Sequence, residues 1–299
     1  MRRWGDRRAL AVRHRRPVPR TLHPARGAWD HAGMHTPCYV RGEVAGVDVE
    51  RIYYAGRATA RTTGPDSRYA IGYLERRHGV WTRGPSPVVR GDAQRPSALE
   101  PRVIHSGGLW RMWFLSAVGE VGRGEQPDYE LRYCESRDGV AWGGTSVFST
   151  RDEGFFDNVV HPHGGRWEMI LARGTNLHGT TPFPSQGLWW TASHDVPGRR
   201  AHWSAPTRMI NTDRESRPWF AAGVCGPSFV REAERDGAQA VHVFVTGTRR
   251  RTSWPKTALR HMVHARIPPV PAPYYPATGR LTFTAPAGGG MPAHMRPQR

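Results

Sequence analysis

The sequence predicts an all-β propeller, a fold in which repeated four-stranded sheets surround a central channel. Two observations predict it. Segments with the same residues recur along the 299-residue chain, and the composition of 34 Gly, 26 Pro and 12 Trp fits short strands and turns better than long helices. One domain accounts for the length, because large β architectures often run past about 250 residues.

The repeats divide the chain into four units. Segment 69–80 recurs as 129–140 with the same Tyr, Tyr, Glu, Arg, Gly and Val positions, and segment 107–112 recurs as 164–169. The units begin near Trp29, Asp92, Thr150 and Trp219, and each reads as four strands. Such a unit buries its faces only against its neighbours, as a propeller blade does.

The chain ends are expected to close a fifth blade. Segment 280–284 would supply one strand and part of segment 9–22 another. The predicted organisation is therefore a basic extension at 1–28, one five-bladed propeller at 29–284 and an irregular tail at 285–299.

The formal net charge of +18 raises the possibility of nucleic-acid binding, since clustered cations favour a phosphate backbone. The cations are nearly all Arg, with Lys256 the single lysine, which indicates a composition bias, and runs of Arg crowd segment 1–28. We read that segment as a solvated extension and expect no nucleic-acid partner.

Other classes of protein are excluded by what the sequence lacks. It has no apolar run of membrane-spanning length, and its basic start is not followed by a signal-peptide core, so a cytoplasmic protein is expected. The cysteines Cys38, Cys134 and Cys225 cannot all pair and have no metal-ligand spacing. We expect no disulfide framework, metal or cofactor.

The repeats resemble those of the five-bladed propeller glycosidases, the arabinanase and invertase group that includes glycoside hydrolase families 43, 32 and 130. The shared pattern is an inner strand with an acid before a Pro, an aromatic strand, and a Tyr-rich strand ending in Ser-x-Asp-Gly-x-x-Trp, as at Ser136–Trp142. The resemblance implies a central pocket where the innermost strands begin, with carboxylates from different blades and a sugar or small sugar conjugate as substrate.

The repeat register places Pro37, Pro101, Asn158 and Pro227 at equivalent points, and the residues before them are Thr36, Glu100, Asp157 and Gly226. Glycoside cleavage needs one carboxyl group to protonate the leaving oxygen and another as nucleophile or base. Glu100 and Asp157 are the candidate catalytic residues, and a structural ion pair or turn contact is the alternative for each.

The first unit departs from the family pattern, because Thr36 stands where the family usually carries Asp. Asp30 could supply the missing carboxylate from the preceding loop, or could cap that loop, and its register partner in the fourth unit is Phe220. His35 is a candidate acid or base near neutral pH, with a structural histidine as the alternative.

Further candidates for substrate binding follow from the same register. Arg173 and Asn176 follow a second strand that returns toward the pocket, and their side chains can bind hydroxyl or carboxylate groups. Cys225 precedes Gly226 and is expected to line the channel as a packed residue or a nucleophile.

Four functions remain open on the sequence, and a basic nucleic-acid binder is the fourth and least favoured of them. The first is a glycoside hydrolase-like enzyme acting by carboxylate acid/base chemistry. The second is an enzyme that tailors a small metabolite by other chemistry on the same scaffold, as the missing first-blade acid allows. The third is a carbohydrate-binding propeller without turnover, because a fold hosts unrelated activities.

Overall fold

The computed structural model describes residues 24–61, 64, 67–122, 128–173, 186–212, 219–221, 223–232, 238–248, 259 and 276–286. These residues form four antiparallel sheets arranged as a β-propeller, which confirms the predicted fold class. Two short 3₁₀ turns, Arg151–Glu153 and Arg200–His202, connect strands. None of the described residues forms a helix long and apolar enough to cross a membrane.

The first two sheets have four strands each. The first contains β1 (Gly33–Val44), β2 (Val47–Arg57), β3 (Tyr69–Arg77) and β4 (Val80–Arg83). The second contains β5 (Ser97–Ser106), β6 (Leu109–Ala117), β7 (Tyr129–Ser136) and β8 (Ser146–Ser149). Strands pair in chain order in both, so the first strand of each unit lies at one edge of its sheet.

The third sheet repeats this order and the fourth has three described strands. The third contains β9 (Phe155–His163), β10 (Arg166–Arg173), β11 (Gly187–Ser193) and β12 (Thr207–Asn211). The fourth contains β13 (Val224–Arg231), β14 (Ala238–Thr248) and β15 (Pro276–Pro286). The units therefore begin where the repeats predict.

The prediction that segment 280–284 belongs to a fifth blade is wrong. This segment lies in β15, which pairs with β14 along its whole length, from Ala238 opposite Pro286 to Thr248 opposite Pro276. The alternating burial of β15 explains the pairing, because Leu281, Phe283 and Ala285 face the apolar core of the third and fourth sheets. β15 also reaches Pro286, two residues into the predicted tail. Segment 9–22 lies outside the described residues.

Three apolar clusters hold the sheets together, one at each junction between consecutive sheets. Trp110 and Met112 pack with Tyr53 between the first and second sheets. The turn Ser136–Trp142 lies in the same junction, where the Tyr53 hydroxyl donates to the carbonyl of Gly139 at 2.7 Å. Within the turn, Asp138 accepts hydrogen bonds from the amides of Val140 and Ala141 at 2.8 Å. Trp142 packs edge-on against Tyr53, as predicted for a turn between blades.

Candidate active site

Three innermost strands carry the same β-bulge near their beginning. In β1, β5 and β13, two residues of the inner strand oppose one residue of the second strand, and these pairs are Thr36-Pro37, Glu100-Pro101 and Gly226-Pro227. The residue before each Pro has a left-handed φ, at 49°, 53° and 59°. The repeat register is thus a real structural equivalence, and each bulge turns one residue out of the ladder.

The third sheet differs at this point. Asp157 and Asn158 pair regularly with Ala172 and Leu171, and the extra residue is Phe156. Asp157 therefore stays in the ladder as a buried residue, 3% exposed, whereas Glu100 occupies a bulge.

Backbone strain marks Glu100 and Thr36. A left-handed φ is routine for Gly226 but costs a residue with a Cβ roughly 1–3 kcal/mol, and such strain collects at functional sites. The Oγ1 atom of Thr36 is also buried without a hydrogen-bond partner among the described residues. Two strained polar residues thus stand at the same place on adjacent inner strands.

Contacts between neighbouring inner strands link the four sheets near these positions. The amide of Val103 on β5 lies 3.2 Å from Sγ of Cys38 on β1, and Arg102 on β5 donates to Asp157 on β9 at 3.0 Å. Asp157 in turn accepts a hydrogen bond from the amide of Gly226 on β13. The inner strands of the four sheets are therefore in contact near these residues, and their placement around one opening stays a prediction.

The Asp157 carboxylate accepts hydrogen bonds from three donors. Oδ1 takes one from Arg102 and one from its neighbour's amide, Asn158, at 3.0 Å each, and Oδ2 takes that of Gly226. Arg102 also donates through Nε to the carbonyl of Asn158 at 2.9 Å. Donors on every side are the environment of an ionised carboxylate, and they hold its charge in place.

Glu100 lies in the opposite environment. Burial raises the pKa of its carboxyl group, the negative charge of Asp157 raises it further, and Arg102 opposes the shift only in part, so that the pKa is about 8. Glu100 is therefore protonated at neutral pH. A buried carboxyl group with a raised pKa beside a carboxylate that accepts three hydrogen bonds matches the arrangement of a general acid and its electrostatic partner.

Two cysteines near this pair have raised pKa values. Burial, together with the charges of Asp157 and Glu100, raises the pKa of Cys225 to about 12. Burial also raises the pKa of Cys38. A thiol with a raised pKa is a poor nucleophile, so the structure favours the packing alternative for Cys225.

His35 and Arg57 extend the site along the first sheet. Nε of Arg57 donates to Nε2 of His35 at 3.1 Å, and the His35 ring lies 5.4 Å from that of Tyr69. Burial lowers the pKa of His35 and the cation of Arg57 lowers it further, so the imidazole is neutral at pH 7. Its accepting Nε2 is engaged by Arg57, which leaves His35 a positioning role.

Asp30 contacts a different set of residues. Its carboxylate is fully buried, accepts a hydrogen bond from the Tyr54 hydroxyl at 2.7 Å and forms an ion pair with Arg83 on the outermost strand of its sheet. Its register partner Phe220 is buried just as completely, and the Cβ of each faces the backbone of an equivalent glycine, Gly56 or Gly247. Asp30 and Phe220 therefore pack in the same way against the second strand of their sheets.

Arg173 also has structural contacts. Its guanidinium lies 4.7 Å from the ring centre of Trp189, and its Nε donates to the carbonyl of Glu153 at 2.9 Å. Burial lowers its pKa, as does the nearby cation of Arg208. Asn176 lies outside the described residues. The sequence prediction missed Arg102 and Tyr69, although a cation two residues after an inner-strand acid was a signal for Arg102.

Sequence comparisons give no function. No family model matches the chain. Two uncharacterized proteins of Mycobacterium tuberculosis, from different strains, are each 34% identical over 128 residues. The match covers 42% of this chain and 42% of each relative, so it spans less than half of the curated relatives' length.

Structure comparisons show the fold. A glycosyl hydrolase from Bacteroides ovatus matches with a TM-score of 0.54 at 14% identity, covering 90% of this chain and 71% of that chain. A structure from the GH130 family of mannoside phosphorylases and glycoside hydrolases matches with a TM-score of 0.55 at 12% identity, covering 90% and 70%. The chain thus has the fold of the propeller glycosidases, as its repeats indicate.

Proposed function

We propose that this protein cleaves glycosidic bonds, with Glu100 as the general acid and Asp157 as the stabilising anion. The observation that carries the proposal is a buried, strained carboxyl group, Glu100, on the strand next to a carboxylate, Asp157, that three donors hold in place. Burial and Asp157 raise the pKa of Glu100 to about 8. The glycosidase fold of the structural neighbours supports it as an analogy only.

In the proposed reaction Glu100 gives its proton to the glycosidic oxygen as the bond to the anomeric carbon breaks. Positive charge then develops on the sugar ring, and the fixed negative charge of Asp157 stabilises it. Water attacks the anomeric carbon, and its proton passes to the Glu100 carboxylate, which restores the acid. The donors around Asp157 suit this electrostatic role better than nucleophilic attack, because both oxygens are already engaged.

Asp30 is left out of the proposed catalytic set. A carboxylate that is fully buried and paired with Arg83 has neither the exposure nor the free charge to activate water. The general acid therefore has no carboxylate base opposite it at the first-blade position, where Thr36 stands in the equivalent bulge.

The test is turnover of a panel of aryl and oligosaccharide glycosides by the protein and by its Glu100→Gln variant. Loss of the proton should lower kcat by about 10²–10⁴-fold on any substrate found, without loss of folding. Glu43→Gln, an exposed change far along β1, is the matched control and should keep full activity. Equal turnover by the Glu100→Gln and control variants would contradict the proposal.

A second candidate is phosphorolysis, favoured by the hydroxyl of Thr36 where a base would be needed for hydrolysis. Inorganic phosphate is already an anion and attacks the anomeric carbon without a protein base, while Glu100 still protonates the leaving oxygen. One structural neighbour comes from a family of mannoside phosphorylases. Turnover that requires phosphate and yields a sugar phosphate would select this candidate, and turnover in phosphate-free buffer would select hydrolysis.

A further inference from the structure

A cavity of about 520 Å³ lies beside the segment that leads into β5. It lies between the beginning of β3 and the segment that leads into β5. Its lining includes two aromatic and four charged residues, which are Trp29, Tyr69, Arg68, Arg90, Asp92 and Glu120. Nothing in the proposed cleavage step uses this cavity.

Tyr69 joins the cavity to the candidate active site. Its amide donates to Oγ of Ser97, the first residue of β5, at 3.2 Å, and its ring lies 5.4 Å from that of His35. Ser97 precedes Glu100 by three residues on the same strand, which corresponds to about 10 Å of extended chain. A substrate bound at Glu100 could therefore extend past Tyr69 into the cavity.

Most of the charged side chains that line the cavity have partners. Asp92 accepts hydrogen bonds from the amides of Gln94 and Arg95 and lies 3.5 Å from Arg132. Arg68 lies 3.9 Å from Glu120, with both side chains exposed. Within the described chain, the exposed Arg90 has no hydrogen bond or ion pair of its own.

The Trp29 ring that lines the cavity is closely packed by its neighbours. Trp29 stacks on Tyr54 with ring centres 5.8 Å apart and planes at 10°. Its ring presses so closely on Gly56 and Gly72 that an added Cβ at either would lie 2.5 Å from it. An ordered indole beside an open cavity is a surface on which a sugar ring can pack.

We propose that this cavity is a subsite for a sugar unit bearing an acidic substituent, read by the guanidinium of Arg90 and packed against Trp29. The inference deepens the proposed function by naming the substrate class as acidic glycosides. An arginine fork matches a carboxylate or sulfate oxygen pair, and Arg90 has no internal partner to compete for it. The net charge of +18 would also raise the local concentration of such a substrate.

The experiment titrates the protein with glucuronic acid and, separately, with glucose, and follows the indole N–H resonance of Trp29 by NMR. Arg90→Gln removes the cation, and Arg137→Gln is the matched control, an exposed arginine in the turn after β7. Glucuronic acid should shift the Trp29 signal saturably and glucose should not. Arg90→Gln should weaken the apparent affinity at least tenfold, and Arg137→Gln should leave it unchanged.

Three results would overturn the subsite. These are no shift of Trp29 with glucuronic acid, an equal response to glucose, and equal affinities in the two variants. Inorganic sulfate is the remaining probe, and displacement of glucuronic acid by sulfate at similar concentration would reduce the site to a simple anion site. The readout needs no turnover, so a failure of the proposed cleavage reaction and a failure of the subsite are seen separately.

Discussion

Glu100 and Thr36 occupy the same left-handed bulge on adjacent inner strands, with φ values of 53° and 49°. The backbone is equivalent and the chemistry is not, since one side chain is a buried acid and the other a hydroxyl without a partner. The scaffold thus offers the same strained position in successive sheets, and this chain keeps a carboxyl group at only one of the bulged positions.

The pH dependence of activity should follow Glu100. Its carboxyl group must be protonated to act as an acid, so kcat/KM should fall as the pH rises through about 8. A pH profile of turnover measures this, and the falling limb should be absent from the residual activity of Glu100→Gln. A limb that persists unchanged in that variant would assign it to another group.

The pH dependence of folding stability should also report the raised pKa of Glu100. The folded pKa of about 8 lies above the ordinary value of 4.5, so between these values the folded state holds a proton that the unfolded chain has released. This contribution to the free energy of unfolding therefore decreases as the pH rises across that window and is constant on either side. Urea unfolding at several pH values should show a smaller decrease for Glu100→Gln than for the unchanged protein.

Asp157→Asn should damage both stability and activity. The change removes a buried charge that pairs with Arg102 and places an amide among three donors. Breaking a buried pair of this kind costs about 3–5 kcal/mol. Chemical unfolding gives the cost, and a double-mutant cycle with Arg102→Gln should show strong coupling between the two positions; additive effects would contradict the pairing.

Asp30→Asn should lower stability and leave turnover per folded molecule unchanged. Its buried carboxylate is paired with Arg83 and Tyr54, so loss of the charge should cost about 3 kcal/mol. Arg83→Gln should give a similar loss by removing the other partner. Turnover that falls as far as in Glu100→Gln would instead make Asp30 the displaced third carboxylate.

Gly56→Ala should destabilise the first sheet by about 1–3 kcal/mol, because the new methyl group would lie 2.5 Å from the ring of Trp29 and 2.6 Å from Cβ of Asp30. Gly144→Ala is the matched control, since an added Cβ there meets nothing within 4 Å. Thermal unfolding of the two variants measures the difference. Equal melting temperatures would show that Trp29 is not packed as described.

The repeats determined the fold, the unit boundaries and the equivalence of the inner-strand bulges in three of the four described units. They could do so because a blade buries its faces only against other blades, so each unit needs the same turn, aromatic and Pro positions. The Ser136–Trp142 turn shows this, since Asp138 bonds the turn amides and Trp142 packs between two blades, as the repeated spacing predicts.

The tertiary structure decided what depends on contacts between units. The sequence proposed both Asp30 and Glu100 as pocket acids, and only the fold shows that one is paired with Arg83 while the other lies beside Asp157. Strand Pro276–Pro286 pairs with β14 in the fourth sheet and buries its apolar face in the core there. Its place near the end of the chain did not predict this pairing. Burial and pairing are set by neighbours distant in sequence, and these alone fix a carboxyl group's charge.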